Sequence, residues 1–310
     1  MIDKYEEIVK NDINDFEISK EGILLKYKGR DSKVVIPSSV MSIGDYAFYD
    51  YNCRSLTSIE IPSSVTSIGK GAFIGSFLTS VEIPSSVTSI GRNAFSDSSL
   101  ISIEIPSSVT SIGMDAFSFC HLLKNITVAE NNEHYKSIDG NLYSKDGKTL
   151  IKYAIDKPSI KFIIPNSVTS IGRNAFSDSS LISIEIPNSV TSIDSYAFYG
   201  CKSLTSIEIP NSVTSIGSSA FGECNKLISI IIPDSVTSIG DYTFERCKSL
   251  TSIEIPNSVT SIGDSALEDC SSLTSIKYRG TESQWSAISK GSDWNIYTGK
   301  YTITYNYTKE

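Results

Sequence analysis

The sequence is poor in the residue types that most often carry catalysis or hold metals. Its 310 residues include only two histidines, His121 and His134. Neither lies in a nucleophile-elbow, zinc-protease or phosphate-loop motif. The abundant serines and threonines belong to a repeat and have no partnered base. We therefore predict that the protein is not an enzyme, and that it has no catalytic residue, no cofactor and no metal site.

Clustered positive charge and long apolar runs are also missing. The formal net charge is −8, whereas binding to a nucleic-acid backbone or an anionic membrane needs clusters of Lys and Arg. No apolar stretch approaches the roughly 20 residues of a transmembrane helix. We expect no nucleic-acid partner and no membrane insertion. The amino-terminal stretch MIDKYEEIVKNDINDF is charged and lacks the apolar core of a signal peptide. It fits a protein that stays inside the cell, a fragment or a mature form, so localisation stays open.

A repeat of 22–23 residues is what the sequence has in abundance. The copy from Cys201 to Glu223 reads CKSLTSIEIPNSVTSIGSSAFGE. The spacing L-x-x-I-x-I before the proline predicts a short strand, and the Val, Ile, Ala and Phe that follow form a second apolar set. A short fixed period predicts a solenoid, and the Ile, Val and Thr content favours strands over helices. About nine copies are marked by prolines at positions 37, 62, 84, 106, 165, 187, 210, 233 and 256.

Three segments depart from the repeat. Residues 1–33 are predicted to form an N-terminal cap, with a helical face from Ile2 to Val9 and strands at Phe16–Ser19 and Ile23–Tyr27. Residues 129–160 form an insertion in which Asp146-Gly147 indicates a tight β-hairpin. This hairpin could project from the coil or replace one turn of it. Residues 277–310 form a C-terminal cap that starts with the capping box Thr281-x-x-Gln284. The predicted repeat blocks are thus 34–128 and 161–276.

The cysteines occupy one column of the repeat. Four thiols in a straight row cannot surround zinc tetrahedrally, and parallel side chains have poor disulfide geometry. We predict buried free thiols that pack as small apolar groups, with a disulfide or a metal site as the alternatives. The column comprises Cys53, Cys120, Cys201, Cys224, Cys247 and Cys270.

Two sets of outward positions are candidates for partner binding. On the LTSIEIP strand, the residue between the two isoleucines faces outward. Stacked turns would bring these glutamates close together, which favours either a solvated face or an acidic surface for a basic partner or cations. Isoleucines interrupt the row and could anchor a partner. Tyrosines precede some Ala-Phe pairs, either because these turns recognise a partner or because their sequence has drifted between copies. The candidates are Glu60, Glu82, Glu104, Glu185, Glu208 and Glu254, Ile163 and Ile231, and Tyr46, Tyr196 and Tyr242.

Four features occur together in the order typical of one family. They are the LxxIxIP strand, the VTSIGxxAFxxC return, the insertion SIDGNLYSKDGKTLIKYA and the tail YRGTESQWSAI. The chain resembles the BspA-like leucine-rich-repeat family over about residues 30–310. The resemblance implies a β-rich solenoid of the leucine-rich-repeat horseshoe type with a parallel sheet, and secreted or surface proteins associated with adhesion and with binding host proteins. It implies no catalytic residues.

These observations lead to one functional hypothesis and two alternatives. The hypothesis is a non-enzymatic, protein-binding repeat scaffold at a cell surface or in secretions, which we expect to be a monomer. The first alternative is an intracellular interaction scaffold, favoured by the unpaired thiols. The second is a glycan-binding module that uses the tyrosines and the only two tryptophans, Trp285 and Trp294.

Overall fold

The computed structural model describes residues 11–49 and 55–308, so the predicted helix from Ile2 to Val9 and Cys53 lie outside the described residues. The chain divides into two compact units, Met1–Gly140 and Asn141–Glu310. Each unit is a β-solenoid of parallel ladders, which confirms the predicted fold class. The described residues form about 12 turns rather than nine, because the segments outside the repeat add turns of their own.

The first unit contains eleven strands within its described residues. A single 3-10 turn, Ile13–Asp15, precedes them. The strands are β1 (Phe16–Ile18), β2 (Ile23–Tyr27), β3 (Lys33–Val35), β4 (Ser42–Ile43), β5 (Ser58–Glu60), β6 (Ser67–Ile68), β7 (Ser89–Ile90), β8 (Ser102–Ile105), β9 (Ser111–Ile112), β10 (Asn125–Val128) and β11 (Tyr135–Ile138).

The second unit contains fifteen strands and one short helix within its described residues. The helix is α1 (Glu282–Ala287). The strands are β12 (Asn141–Ser144), β13 (Thr149–Lys152), β14 (Lys161–Ile163), β15 (Ser170–Ile171), β16 (Ser183–Glu185), β17 (Ser192–Ile193), β18 (Ser206–Ile207), β19 (Ser215–Ile216), β20 (Ser229–Ile231), β21 (Ser238–Ile239), β22 (Ser252–Ile255), β23 (Ser261–Ile262), β24 (Ser275–Tyr278), β25 (Ser289–Lys290) and β26 (Thr302–Thr304).

Most repeats contribute one strand to each of two parallel ladders, whereas the copy at residues 78–84 has no strand in the first of them. The L-x-x-I-x-I stretches pair as β3-β5 and β8-β10 in the first unit, and as β14-β16-β18 and β20-β22-β24-β26 in the second. The Ser-Ile dipeptides form the other ladder, β2-β4-β6-β7-β9 in the first unit and β13-β15-β17-β19 and β21-β23-β25 in the second. The register stacks like on like, since Ile184 pairs with Ile207 and Ile68 pairs with Ile90. The apolar columns of the sequence are therefore rows inside the coil.

The core of each unit is an aromatic stack flanked by aliphatic rows. Phe73 and Phe95 have ring centroids 5.3 Å apart, and Phe198 and Phe221 have centroids 5.2 Å apart with planes only 8° from parallel. All four side chains are fully buried. Hydroxyls of the repeat also link successive turns, as when Ser189 Oγ donates to the carbonyl oxygen of Val168 at 2.7 Å. The repeated serines thus have a structural role.

Each unit begins with the same antiparallel hairpin. In the first unit β1 pairs with β2, and Leu24 of β2 then pairs in parallel with Ile43. In the second unit β12 pairs with β13, and Leu150 of β13 pairs in parallel with Ile171. The predicted hairpin at Asp146-Gly147 is confirmed. It replaces a turn rather than projecting, because its second strand starts the ladder of the second unit.

The C-terminal segment covers the last repeat of the second unit. Thr281 and Gln284 form the predicted capping box, with reciprocal side-chain and backbone hydrogen bonds. Trp285 is buried and meets Tyr278 edge-on, with ring centroids 5.2 Å apart. Strand β26 adds a further rung beside β24. This end of the core is therefore shielded from water.

Candidate binding groove

A groove of about 1450 Å³ runs along the outward face of β16, β18 and β20 in the second unit. Because side chains alternate along a strand, the isoleucines of these strands point into the core and the Ser and Glu residues point outward. The Pro-Asn or Pro-Asp turn that follows each strand forms the groove's second wall. The lining includes Ser183, Glu185, Ser206, Glu208, Ser229, Ile231, Pro210, Asn211, Asp234 and Arg279. We call it the second-unit groove.

Two neighbouring carboxylates carry the charge of this groove. Glu185 and Glu208 are exposed, and neither has an ion-pair partner among the described residues. Glu185 ends β16 and Glu208 directly follows β18, which pairs with β16 in parallel, so the two side chains are expected about 4.8 Å apart. Like charges directly opposite each other in a sheet are unfavourable. The groove therefore holds concentrated negative charge that a cationic group could relieve.

One end of the groove is closed by an ion-pair cluster. The Arg279 guanidinium bonds to Asp234 Oδ1 at 2.6 Å and, through Nε, to Glu254 Oε1 at 2.7 Å. Burial acts to lower the pKa of Arg279, but its hydrogen bonds to Glu254 and the charges of Glu254 and Asp234 raise that pKa overall. Both carboxylates of the cluster are ion-paired with Arg279, which leaves Glu185 and Glu208 as the unpaired carboxylates of the groove's described lining.

The prediction that Glu254 faces solvent is wrong. Only 5% of Glu254 is exposed, because the Arg279 side chain reaches back across it from beyond the last repeat. Lys277 is its register partner on the neighbouring strand. Glu254 therefore stabilises the end of the second unit and is not available to a partner.

Exposed isoleucines flank the carboxylate pair. Ile231 lines the second-unit groove and is 40% exposed. Ile163 pairs in register with Glu185 on the opposite side and is 66% exposed. Glu208 directly follows β18, and Ile231 ends β20 of the next repeat, so Ile163, Glu185, Glu208 and Ile231 hold the equivalent position of four successive repeats. Four of the residues predicted from the sequence are brought into one row.

The remaining glutamates of the row belong to the first unit. Glu82 and Glu104 are exposed in a smaller groove of about 600 Å³ at the equivalent positions, Glu104 on β8 and Glu82 in a stretch outside any strand. Glu60 is exposed on β5. This groove repeats the Ser and Glu pattern of the second unit, but its next register partner after Glu104 is Thr127 rather than an isoleucine.

The predicted tyrosines lie on the turns rather than in either groove. Tyr46, Tyr196 and Tyr242 have φ of 57°, 59° and 56°, in the left-handed region. The equivalent position is Gly71 or Asn93 in other repeats, which are the residue types that tolerate this conformation best. Tyr46 and Tyr242 are about two-fifths exposed, while Tyr196 is half-buried under the Arg173 guanidinium at 4.6 Å.

The tryptophans lie outside both grooves. Trp285 is only 7% exposed because it packs against Tyr278, and Trp294 is half-buried beside it, so glycan binding through these rings stays a prediction. His121 and His134 are exposed and lie outside both grooves.

The described part of the cysteine column is buried, as predicted. Cys201, Cys224, Cys247 and Cys270 are free thiols, and all four are fully buried, as is Cys120. The sequence did not reveal their partner: Cys224 Sγ donates to the carbonyl oxygen of Phe198 at 3.2 Å, and Cys201 does the same to Phe176. The only feature of the sequence that could have indicated this hydrogen bond is the nearly constant offset of about 25 residues between each Phe and the Cys of the next repeat. Burial raises the pKa of Cys270 to about 12 and also raises that of Cys224.

Among the described residues the structure contains neither a metal cluster nor a membrane-spanning helix. No group of three or more His, Cys, Asp or Glu side chains is arranged to hold a metal ion. No helix in the part of the chain that the structure describes is long and apolar enough to cross a membrane.

Comparison with known proteins places this geometry in a family. The model of the BspA type leucine-rich repeat region, in six copies, matches residues 26–145 and 148–274. No curated protein matches the chain.

Three solved structures share the fold. A leucine-rich repeat protein from Eubacterium ventriosum has 28% identity and a TM-score of 0.77, covering 92% of this chain and 79% of its own. A leucine rich cell surface protein from Faecalibacterium prausnitzii has 32% identity and a TM-score of 0.66, covering 88% and 95%. The pneumococcal vaccine antigen PcpA, at 21% identity and a TM-score of 0.60, covers 93% and 82% and agrees in fold. The chain belongs to the BspA-type leucine-rich-repeat family.

Proposed function

We propose that the protein is a non-enzymatic scaffold that binds a protein partner through the second-unit groove, at a cell surface or after secretion. One observation carries the proposal: Glu185 and Glu208 lie side by side, exposed and without an ion pair, between Ile163 and Ile231. A face that served only to keep the sheet soluble would gain nothing from exposed isoleucines beside unpaired carboxylates. Charged and apolar groups in one row are what a protein–protein contact uses.

The ladder supplies a rigid support for this surface. Parallel backbone pairing fixes the positions of β14, β16 and β18, and buried Ile184 and Ile207 hold the strands against the core. Binding to a preorganised surface avoids the entropic cost of ordering loops. The mechanism is therefore contact along a fixed row of side chains, with no moving element.

The location rests on a relative and on the state of the thiols. The protein from Faecalibacterium prausnitzii with 32% identity is a leucine rich cell surface protein. Cys224 and Cys247 are fully buried, and burial raises the pKa of both thiols, which disfavours the reactive thiolate. Unpaired thiols of this kind are stable in an oxidising environment, so they do not favour the intracellular alternative. Fractionation of the native host would decide between the two locations.

A capture experiment tests the groove. The purified chain, immobilised, is exposed to surface-protein extracts and compared with the variant Glu185→Gln/Glu208→Gln. The matched control is Glu133→Gln/Glu282→Gln, which removes two exposed carboxylates outside both grooves. We expect a specific partner that the wild type and the control retain and that the groove variant loses. A partner retained equally by all three proteins, or no retained partner, would refute the proposal.

A further inference from the structure

The row that flanks the second-unit groove has a spacing that selects one kind of ligand. Ile163, Glu185 and Ile231 end β14, β16 and β20, and Glu208 directly follows β18, so the four residues hold the equivalent position of four successive repeats. Strands in a sheet lie about 4.7–4.9 Å apart, so Ile163 and Ile231 are separated by three spacings, about 14 Å. The midpoint between the two carboxylates lies about 7 Å from either isoleucine.

An extended peptide has matching dimensions. Its residues rise about 3.3 Å each, and alternate side chains share one face. Residues i, i+2 and i+4 therefore point the same way, with i and i+4 about 13 Å apart and i+2 midway. Apolar side chains at i and i+4 would meet Ile163 and Ile231, while a Lys or Arg at i+2 would lie between Glu185 and Glu208.

From this match we infer that the groove binds an extended partner segment with the pattern apolar-x-basic-x-apolar, running across the strands. The inference rests on the proposed function and specifies its partner. Charge complementarity favours a cation, since both carboxylates lack an ion pair among the described residues. The Arg279 cluster ends the row beyond Ile231, because Glu254 at the next equivalent position is buried and ion-paired instead of being another free carboxylate.

Geometry separates this ligand from others in the same groove. A helix rises only about 1.5 Å per residue, so two anchors 14 Å apart would be nine residues apart with several side chains between them. The rows of outward serines, including Ser183 and Ser206, leave a shallow floor on which an extended chain can lie flat. An acidic segment would add like charges to Glu185 and Glu208.

A displayed library of random 12-residue peptides, selected on the whole immobilised protein, tests the inference. We expect enrichment of a basic residue with apolar residues two positions away on both sides. Synthetic versions of the enriched peptides should bind Glu185→Gln/Glu208→Gln at least tenfold more weakly, and should lose affinity as salt increases.

Two double variants test the role of the flanking isoleucines, and a shifted peptide tests the spacing. Ile163→Thr/Ile231→Thr should weaken the same peptides several-fold, while Ile13→Thr/Ile101→Thr, which alters exposed isoleucines of the first unit, should leave binding unchanged. Moving the basic residue of an enriched peptide from i+2 to i+1 should cost about as much as deleting it.

Several results would overturn the inference. They are no enrichment, an acidic or unspaced motif, binding that survives loss of both carboxylates, or a dimer of the protein that the groove variant dissociates. If the capture experiment finds a partner through the groove while the library yields none of the expected motif, only the inference about the segment fails. If neither experiment depends on Glu185 and Glu208, the proposed function fails as well.

Discussion

The cysteine column offers a test of what holds successive turns together. Cys224 is fully buried, and its thiol donates to the carbonyl oxygen of Phe198 at 3.2 Å. That carbonyl also accepts the backbone N–H of Cys201 at 3.2 Å. Removing the thiol therefore does not orphan the carbonyl. We infer that Cys224 stabilises the coil mainly by filling space, with the weak S–H bond as a smaller contribution.

Two substitutions separate these contributions. Cys224→Ala removes the sulfur and leaves a small void, which should lower the free energy of unfolding by about 1–2 kcal/mol. Cys224→Ser keeps a donor, but its shorter C–O bond moves the hydroxyl away from the Phe198 carbonyl and buries a polar group. Imperfectly bonded buried hydroxyls cost about 1–3 kcal/mol, so the serine variant should be the less stable of the two.

Urea unfolding followed by circular dichroism measures the difference. Solenoids can lose cooperativity, so the slope of the transition must be the same in all variants before midpoints are compared. Ser218→Ala, on a half-buried turn, is the control and should change stability by less than about 0.5 kcal/mol. A serine variant as stable as the wild type, alongside a weakened alanine variant, would refute the space-filling account and favour the hydrogen bond.

Three further predictions concern charge, pH and backbone strain. Arg279→Ala should lower stability by about 2 kcal/mol in thermal or urea unfolding, because it removes the charge-assisted hydrogen bonds to Glu254 and Asp234, and adding Glu254→Gln should then cost little more, since Glu254 is uncovered once Arg279 is gone. Burial raises the pKa of Cys270 from 9.0 to about 12. The neutral thiol therefore contributes stability that is complete below pH 9 and is lost as the pH rises towards 12. Over that range, the urea midpoint of Cys270→Ala should fall less steeply with pH than the midpoint of the wild type. Tyr297→Asn should raise the unfolding midpoint, with a gain of about 0.5–1 kcal/mol, since Tyr297 is 73% exposed at φ 57° and loses little packing; an unchanged or lower midpoint would contradict the strain argument.

The buried rows could be predicted because the period encodes them directly. Ile184 and Ile207 recur at one position, and the parallel register stacks them as the spacing indicated. The capping box at Thr281 was also readable, since it depends on residues only three apart. Local and periodic signals are therefore sufficient for most of the fold.

Contacts between residues far apart in the sequence determine two features that the sequence left open or indicated wrongly, the placement of the hairpin and the exposure of Glu254. The hairpin around Gly147 could have projected, and only the pairing of Leu150 with Ile171 shows that it starts a ladder. Glu254 looked like its equivalents Glu185 and Glu208. Its burial depends on Arg279, which lies 25 residues further along and outside the repeat. A periodic pattern cannot indicate which copy meets a residue that is not part of the pattern.

The candidate site was predictable as a row but not as a groove. The outward position of Glu185 and Ile231 follows from strand alternation, and both are exposed. The sequence alone gave no reason to separate Tyr46, Tyr196 and Tyr242 from that row. In the structure they lie on left-handed turns away from it, because the Ala-Phe return follows a separate side of each turn.

The most direct test of groove binding is site-specific photo-crosslinking. A benzophenone amino acid replaces the exposed Ser206, which lies two residues before Glu208 in the lining of the second-unit groove, or replaces Lys202, which is exposed on the preceding turn outside the lining. Irradiation in the presence of a captured partner, followed by mass spectrometry of the crosslinked peptide, should give a crosslink from position 206 and none from position 202. A crosslink from position 202 alone, or equal crosslinking from both positions, would contradict binding through the groove.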